Sequence, residues 1–232
     1  MTEAGTEPVI VPGRRDVRGV LDTPDESGES SELAPPGRPR RRTELKSESE
    51  PNAVVVACPP HPQQGGSRAD ARLTAVSAAL GEHGIACLRF DYGPWDSGDG
   101  ERLDTRNACR WAAERYDRVG LFGYSFGATT ALCVAGETEG DAPGAPDAVS
   151  VLAPGRGDSD AERDALAALD AISSPVQVCY GERDTTVEWE PVVERARERG
   201  FVVESIPADH FFVGRKAETA SCAASFLAVT LR

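Results

Sequence analysis

Apolar and polar positions follow two distinct periods along this chain. From residue 53 onward there are six apolar runs of strand length: AVVVAC at 53–58, IACLRF at 85–90, RVGLF at 118–122, AVSVL at 148–152, VQVCY at 176–180 and FVVESI at 201–206. Between them, apolar residues recur every three or four positions, the spacing of a helix with one buried face. That spacing predicts helices over 68–81, 103–116, 126–135, 161–169, 190–199 and 215–231, with Leu73, Val76 and Leu80 sharing a face of the first. Two more short strands, 9–11 and 17–21, flank a turn at Pro12-Gly13. Continuous apolar strands that alternate with amphipathic helices imply βαβ units and buried parallel pairing. The expected fold class is therefore α/β, a mostly parallel eight-stranded sheet with helices on both faces.

The pattern breaks between about 23 and 52. DESGESSELAPPGRPRRRTELKSESE, at 25–50, has almost no apolar periodicity. Such a stretch buries too little surface to offset its ordering entropy, which predicts a poorly ordered insertion in an otherwise single domain spanning 1–232. Arg40-Arg41-Arg42 within it reads as a solvated charge run.

In sheets of this kind the chemistry gathers at the carboxyl ends of the strands. The run at 118–122 leads directly into Gly123-Tyr124-Ser125-Phe126-Gly127, a G-x-S-x-G pattern followed by an alanine-rich helix. That context is a nucleophile elbow, in which a tight strand–turn–helix projects the serine hydroxyl. Ser125 then needs a base. The chain has three histidines, and only His210, after the last strand, satisfies the order Ser…acid…His. His83 lies at a helix end and His61 follows the first parallel strand. Asp184, in Gly181-Glu182-Arg183-Asp184 after the run at 176–180, is the acid that fits, with Glu182 and Asp209 as rivals. His210 would take the Ser125 proton while Asp184 holds the imidazole tautomer.

An oxyanion needs two N–H donors. One is the amide of Phe126. The other is expected from Pro59-Pro60-His61-Pro62-Gln63-Gln64-Gly65-Gly66, where Pro62 has no amide hydrogen and Gln63 is the first residue after it that can donate. His61 is expected to fix this loop by packing and hydrogen bonding, and Tyr124 to line the substrate site beside Ser125.

The charge narrows the partners. With 38 Asp+Glu against 25 Lys+Arg the formal net charge is −13, which excludes nucleic acid and anionic membrane surfaces as partners. Only −2 of it falls between Thr23 and Asn52 and −11 elsewhere, so the acidity belongs to the folded part. Only Lys46 and Lys216 are lysines, leaving 23 arginines. Acid-rich, lysine-poor surfaces stay hydrated in strong salt, and a salt-adapted, halophilic protein is expected. MTEAGTEP lacks the basic and apolar regions of a signal peptide, and no apolar run reaches membrane-span length, so a cytoplasmic location is expected. Six cysteines without C-x-x-C spacing and three scattered histidines offer no metal site. No glycine-rich phosphate cradle is present, and no cofactor is expected.

PPHPQQGGS, IACLRFDYGPWDSGDGE, GYSFG, YGERD and ADHFF together resemble the small α/β-hydrolases with a His-Pro oxyanion loop and a dienelactone-hydrolase-like core. The resemblance spans 53–231. It implies the α/β-hydrolase fold and a Ser-His-Asp hydrolase acting on a small acyl substrate, an ester, thioester or lactone. Its motifs fall on Ser125, Asp184, His210 and the loop around Gln63. One departure stands out: relatives have an aromatic-Arg-Gly sequence where this chain has Asp91-Tyr92-Gly93-Pro94-Trp95. Only about 23 residues separate the runs at 148–152 and 176–180, too few for a large lid. The alternatives are a peptidase with the same triad and a silent binding scaffold on the same fold.

Overall fold

A computed structural model describes residues 5–24, 51–137, 143–157 and 164–232. Among these residues eight strands form one sheet: β1 (Gly5–Val11), β2 (Val17–Thr23), β3 (Ala53–Cys58), β4 (Ala86–Phe90), β5 (Arg118–Tyr124), β6 (Ala148–Leu152), β7 (Val176–Gly181) and β8 (Val202–Ile206). Their spatial order is β1-β2-β4-β3-β5-β6-β7-β8. β2 pairs antiparallel with β1 and β4, and all other neighbours pair parallel. β3, every residue of it buried, lies between β4 and β5. This is why AVVVAC shows no alternation: a central parallel strand faces apolar helices on both sides.

Among the described residues six α-helices cover the sheet: α1 (Ala71–Glu82), α2 (Asp99–Ala113), α3 (Phe126–Glu137), α4 (Ala165–Ala171), α5 (Glu190–Glu198) and α6 (Lys216–Thr230). Leu73, Val76 and Leu80 of α1 and Leu227 of α6 pack with Val55 and Phe122 on one face. α2, α3, α4 and α5 pack with Val54, Val56 and Leu121 on the other. The strand order, the antiparallel β2 and the two helical layers are those of the α/β-hydrolase fold, as expected. Between β6 and β7 the described residues contain α4 as their one helix, and no lid stands over the sheet among the described residues.

Three helices begin later or earlier than their apolar spacing suggests. α1 starts at Ala71 rather than 68, where the Asp70 carboxylate accepts the Arg72 amide at 2.8 Å. α2 starts at Asp99 rather than 103, because the buried Glu101 carboxylate turns back to accept the amides of Gly98 at 2.8 Å and Asp96 at 3.1 Å. Such capping satisfies amides that the first turn leaves unpaired, and Gly98 supplies the positive φ of 96° at the entry. α4 starts at Ala165, where the Asp164 carboxylate accepts the Leu166 amide at 2.9 Å. Residues 161–163 of the expected helix, and 25–50 of the expected insertion, lie outside the described residues.

Candidate active site

β5 passes into α3 with Ser125 as the only residue between them. Its φ is 57°, a left-handed conformation that costs a non-glycine residue energy. Packing around it accounts for both flanking glycines. A Cβ on Gly123 would collide with the Gly127 carbonyl, and one on Gly127 with the carbonyls of Cys58 and Pro59. The Ser125 amide donates to Leu152 O at 2.9 Å, tying the elbow to β6.

The loops after β7 and β8 bring the other two candidates to the serine. Ser125 Oγ lies 2.9 Å from His210 Nε2, and His210 Nδ1 lies 2.6 Å from Asp184 Oδ2. Asp184 and His210 are both buried, at 6% and 4% exposure. The second Asp184 oxygen accepts the amides of Thr186 at 2.8 Å and Val187 at 3.4 Å, which fixes the carboxylate plane. The rivals do other things: Glu182 is exposed, and the Asp209 carboxylate accepts the Phe211 amide at 3.0 Å within its own loop. A hydroxyl hydrogen-bonded to an imidazole that is itself backed by a carboxylate can hand over its proton as it attacks an electrophile.

Tyr124 is buried beside the histidine. Its hydroxyl donates to His210 O at 3.1 Å, and the Arg72 guanidinium carbon sits 4.4 Å from its ring centroid. Arg72 also donates to Phe211 O at 3.5 Å and lies 2.5 Å from Asp70. Burial, with the nearby Arg72 charge opposing it, pushes the Tyr124 phenol up to about 12.

The two expected oxyanion donors sit in different surroundings. Phe126 is the first residue of α3, so its amide has no carbonyl of the helix to bond and lies at the positive end of the helix dipole. Gln63 stands elsewhere. Pro62 starts a 3-10 turn, Pro62–Gln64, and the His61 ring caps it by accepting the Gln63 amide at Nδ1, 3.3 Å away. Gln63 is exposed, while its neighbours Gln64, Gly65 and Gly66 line the cleft around Ser125, which encloses about 390 Å³. The amides of Gln64 and Gly66 bond back to His61 O.

Three features escape the sequence patterns. First, Trp95, from the loop after β4, joins an aromatic wall: its ring lies 4.6 Å from His61 and 5.7 Å from Phe126, and His61 lies 4.9 Å from Phe126. A tryptophan just past a strand's carboxyl end was the available signal. Second, an arginine reaches this loop from elsewhere in the chain. Arg15, between β1 and β2, donates to Pro94 O and sits 3.4 Å from Asp96, 3.7 Å from Glu101 and 3.4 Å from Asp104. A Cβ on Gly93 or Gly100 would run into its guanidinium. Third, Arg72 approaches the histidine loop from α1.

Among the described residues no group of three or more His, Cys, Asp or Glu is arranged to hold a metal ion, and no helix is long and apolar enough to cross a membrane. All six cysteines are free thiols.

Neither a protein-family model nor a curated protein sequence matches the chain. Solved structures do. The chain is similar to an α/β serine hydrolase homologue from Coxiella burnetii at 24% identity and TM-score 0.73, over 98% of this chain and 99% of that one. It is similar to an α/β serine hydrolase without lid from Xanthomonas campestris at 21% identity and TM-score 0.72, over 100% and 96%. It is also similar to a dienelactone hydrolase from Anabaena variabilis at 19% identity and TM-score 0.68, over 99% of each chain. The likeness runs the full length of the α/β-hydrolase fold.

Proposed function

We propose that this protein is a serine hydrolase cleaving a carboxylic ester or a related acyl bond, a thioester or lactone, in a small-molecule substrate. The observation that carries the reading is the hydrogen-bonded chain from Ser125 Oγ through His210 to Asp184, at 2.9 and 2.6 Å, with the serine held at φ 57° on an elbow. The similarity to serine hydrolase and esterase structures supports it.

In this reading Ser125 Oγ attacks the carbonyl carbon as its proton passes to His210 Nε2. The buried Asp184 carboxylate stabilises the imidazolium. The Gln63 amide being bonded to the His61 ring, the developing oxyanion rests on the Phe126 amide and the positive end of α3. His210 then protonates the leaving oxygen or sulfur, which departs and leaves an acyl-Ser125. Water gives its proton to His210, attacks the acyl carbon and releases the acid, restoring the serine. With no lid among the described residues, the cleft suits small or extended substrates.

A fluorophosphonate probe followed by peptide mass spectrometry tests this. The expected result is one adduct, on Ser125, with p-nitrophenyl ester turnover falling about 10⁴-fold or more in Ser125→Ala. Folded protein that takes no probe and turns over no ester is a binding scaffold instead.

A further inference from the structure

We propose that the acyl half of the substrate carries a flat aromatic ring, packed in the cavity against the wall that Trp95, His61 and Phe126 form. This rests on the serine hydrolase reading. The cavity encloses about 310 Å³ and shares His61, Phe126, Thr129 and Gly157 with the cleft that contains Ser125 and His210. That size is at the small end for ligand sites and suits a single ring.

The direction of the substrate follows from the chemistry. The leaving atom must reach His210 Nε2 to be protonated, so the leaving group occupies the His210 side of the cleft, alongside Arg72 and Phe211. The oxyanion meets the Phe126 amide. A tetrahedral carbon on Ser125 Oγ has one substituent left, the acyl group, and it extends away from His210 past Phe126 into the neighbouring cavity, which His210 does not line.

The walls there present carbon and aromatic faces. Trp95, His61 and Phe126 stand 4.6 to 5.7 Å apart by centroid, the separation at which rings pack on one another, so they form one aromatic wall against which a substrate ring can lie. At the floor the polar side chains are already engaged. Thr130 donates to Phe126 O at 2.9 Å and Thr129 to Gly155 O at 2.8 Å. The charge of Arg102, at one end, is matched by Asp99 at 3.1 Å and by Glu137. A neutral ring therefore fits better than a charged acyl group.

The test compares p-nitrophenyl acetate, hexanoate and phenylacetate, each kcat/KM divided by the ester's spontaneous alkaline hydrolysis rate. The expected order puts phenylacetate at least 10-fold above acetate and above hexanoate. Trp95→Ala lowers the phenylacetate-to-acetate ratio about 10-fold. Trp95 is 36% exposed, so its truncation spares the core, and Trp95→Phe, which keeps a ring in the wall, should hold the same ratio within about threefold of wild type. With wild-type protein, phenylboronic acid should inhibit at least 10-fold more tightly than methylboronic acid. A phenylacetate preference of one or less, a hexanoate preference, or a ratio unchanged in Trp95→Ala overturns the proposal while leaving the hydrolase reading intact. No turnover of any ester together with an unlabelled Ser125 overturns both.

Discussion

Tyr124 separates a glycine from the candidate nucleophile, yet its closest dealings are with the histidine loop. Its hydroxyl holds His210 O, and its ring carries Arg72, which reaches Phe211 O. Because burial pushes the phenol up to about 12, the hydroxyl remains a donor at every ordinary pH. Tyr124→Phe removes one buried hydrogen bond, worth about 1 kcal/mol, and frees the loop that positions the imidazole. kcat for an ester should then fall about 3- to 10-fold with KM within about twofold. An unchanged kcat would mean the loop needs no such anchor. Cysteine reactivity is also set residue by residue. Burial pushes the Cys58 and Cys87 thiols up to about 12 and Cys109 higher still. Cys222 differs: it is only partly buried and lies 3.7 Å from Cys179, and hydrogen bonding from Cys179 first, then from Gln177, holds its thiol below the usual range against the effect of burial. Iodoacetamide at pH 8 should therefore label Cys222 first, with Cys58, Cys87 and Cys109 labelled only after denaturation, as peptide mapping will read.

At the scale of elements, two arginine-centred clusters tie the antiparallel hairpin to the rest of the sheet. Arg15 faces Glu101 and Asp104 of α2, whose side chains are wholly buried. Burial raises the Asp104 carboxyl even with the Gly93 amide and Arg15 favouring its charge. Arg15→Ala leaves those carboxylates uncompensated, a loss of about 3–5 kcal/mol. Tm should drop by at least about 6 °C, and an unchanged Tm would show that water enters to solvate them. At the opposite side of the hairpin, Asp22 accepts from Arg89 Nε at 2.6 Å, Ser77 at 2.5 Å and Thr6 at 2.9 Å. Burial alone would raise this carboxyl, but the Arg89 and Ser77 hydrogen bonds and the Arg89 charge outweigh it and hold it below its ordinary 3.8. A carboxyl lowered on folding stabilises above that ordinary value and loses the contribution as pH falls through the folded one. Asp22→Asn should thus cost about 1–3 kcal/mol at pH 7, and denaturant curves should show the gap from wild type closing below pH 4. These clusters also explain what the sequence hid. Ser125, Asp184 and His210 were legible because each follows an apolar run, and a parallel sheet brings the ends of such runs together. Arg15 and Asp104 lie far apart in the chain, and no local period marks their meeting. Glu101 and Asp104 carry the polar signature of a surface, which is why α2 starts earlier than its apolar spacing implies. The Gln63 amide is engaged by the cap that the His61 ring makes across it, a contact that no residue pattern marks.

The net charge of −13 acts on the whole molecule, and its sign of effect on stability is open to measurement. Two electrostatic contributions oppose each other. Repulsion among carboxylates such as Glu182, Glu188, Glu190, Glu194 and Glu204, all exposed around β7, α5 and β8, destabilises the compact state. Attraction within the ion pairs, where arginine is the cation at Arg15, Arg68, Arg89 and Arg102, stabilises it. Salt separates the two by distance. The screening length shrinks from about 10 Å at 0.1 M to about 3 Å at 1 M. The Arg89–Asp22 pair, at 2.6 Å and largely buried, sits inside even the shorter length, whereas carboxylates spread over neighbouring elements do not. Raising KCl from 0.1 to 1 M should therefore remove repulsion and leave most pairing, and Tm should rise by at least about 4 °C, equivalent to about 1 kcal/mol or more for a chain of this length. NaCl at equal ionic strength should give the same rise if screening is the cause, and a rise specific to KCl would point to ion binding. A fall in Tm would place the balance with the surface ion pairs, and the acidic composition would then have no stabilising relation to salt.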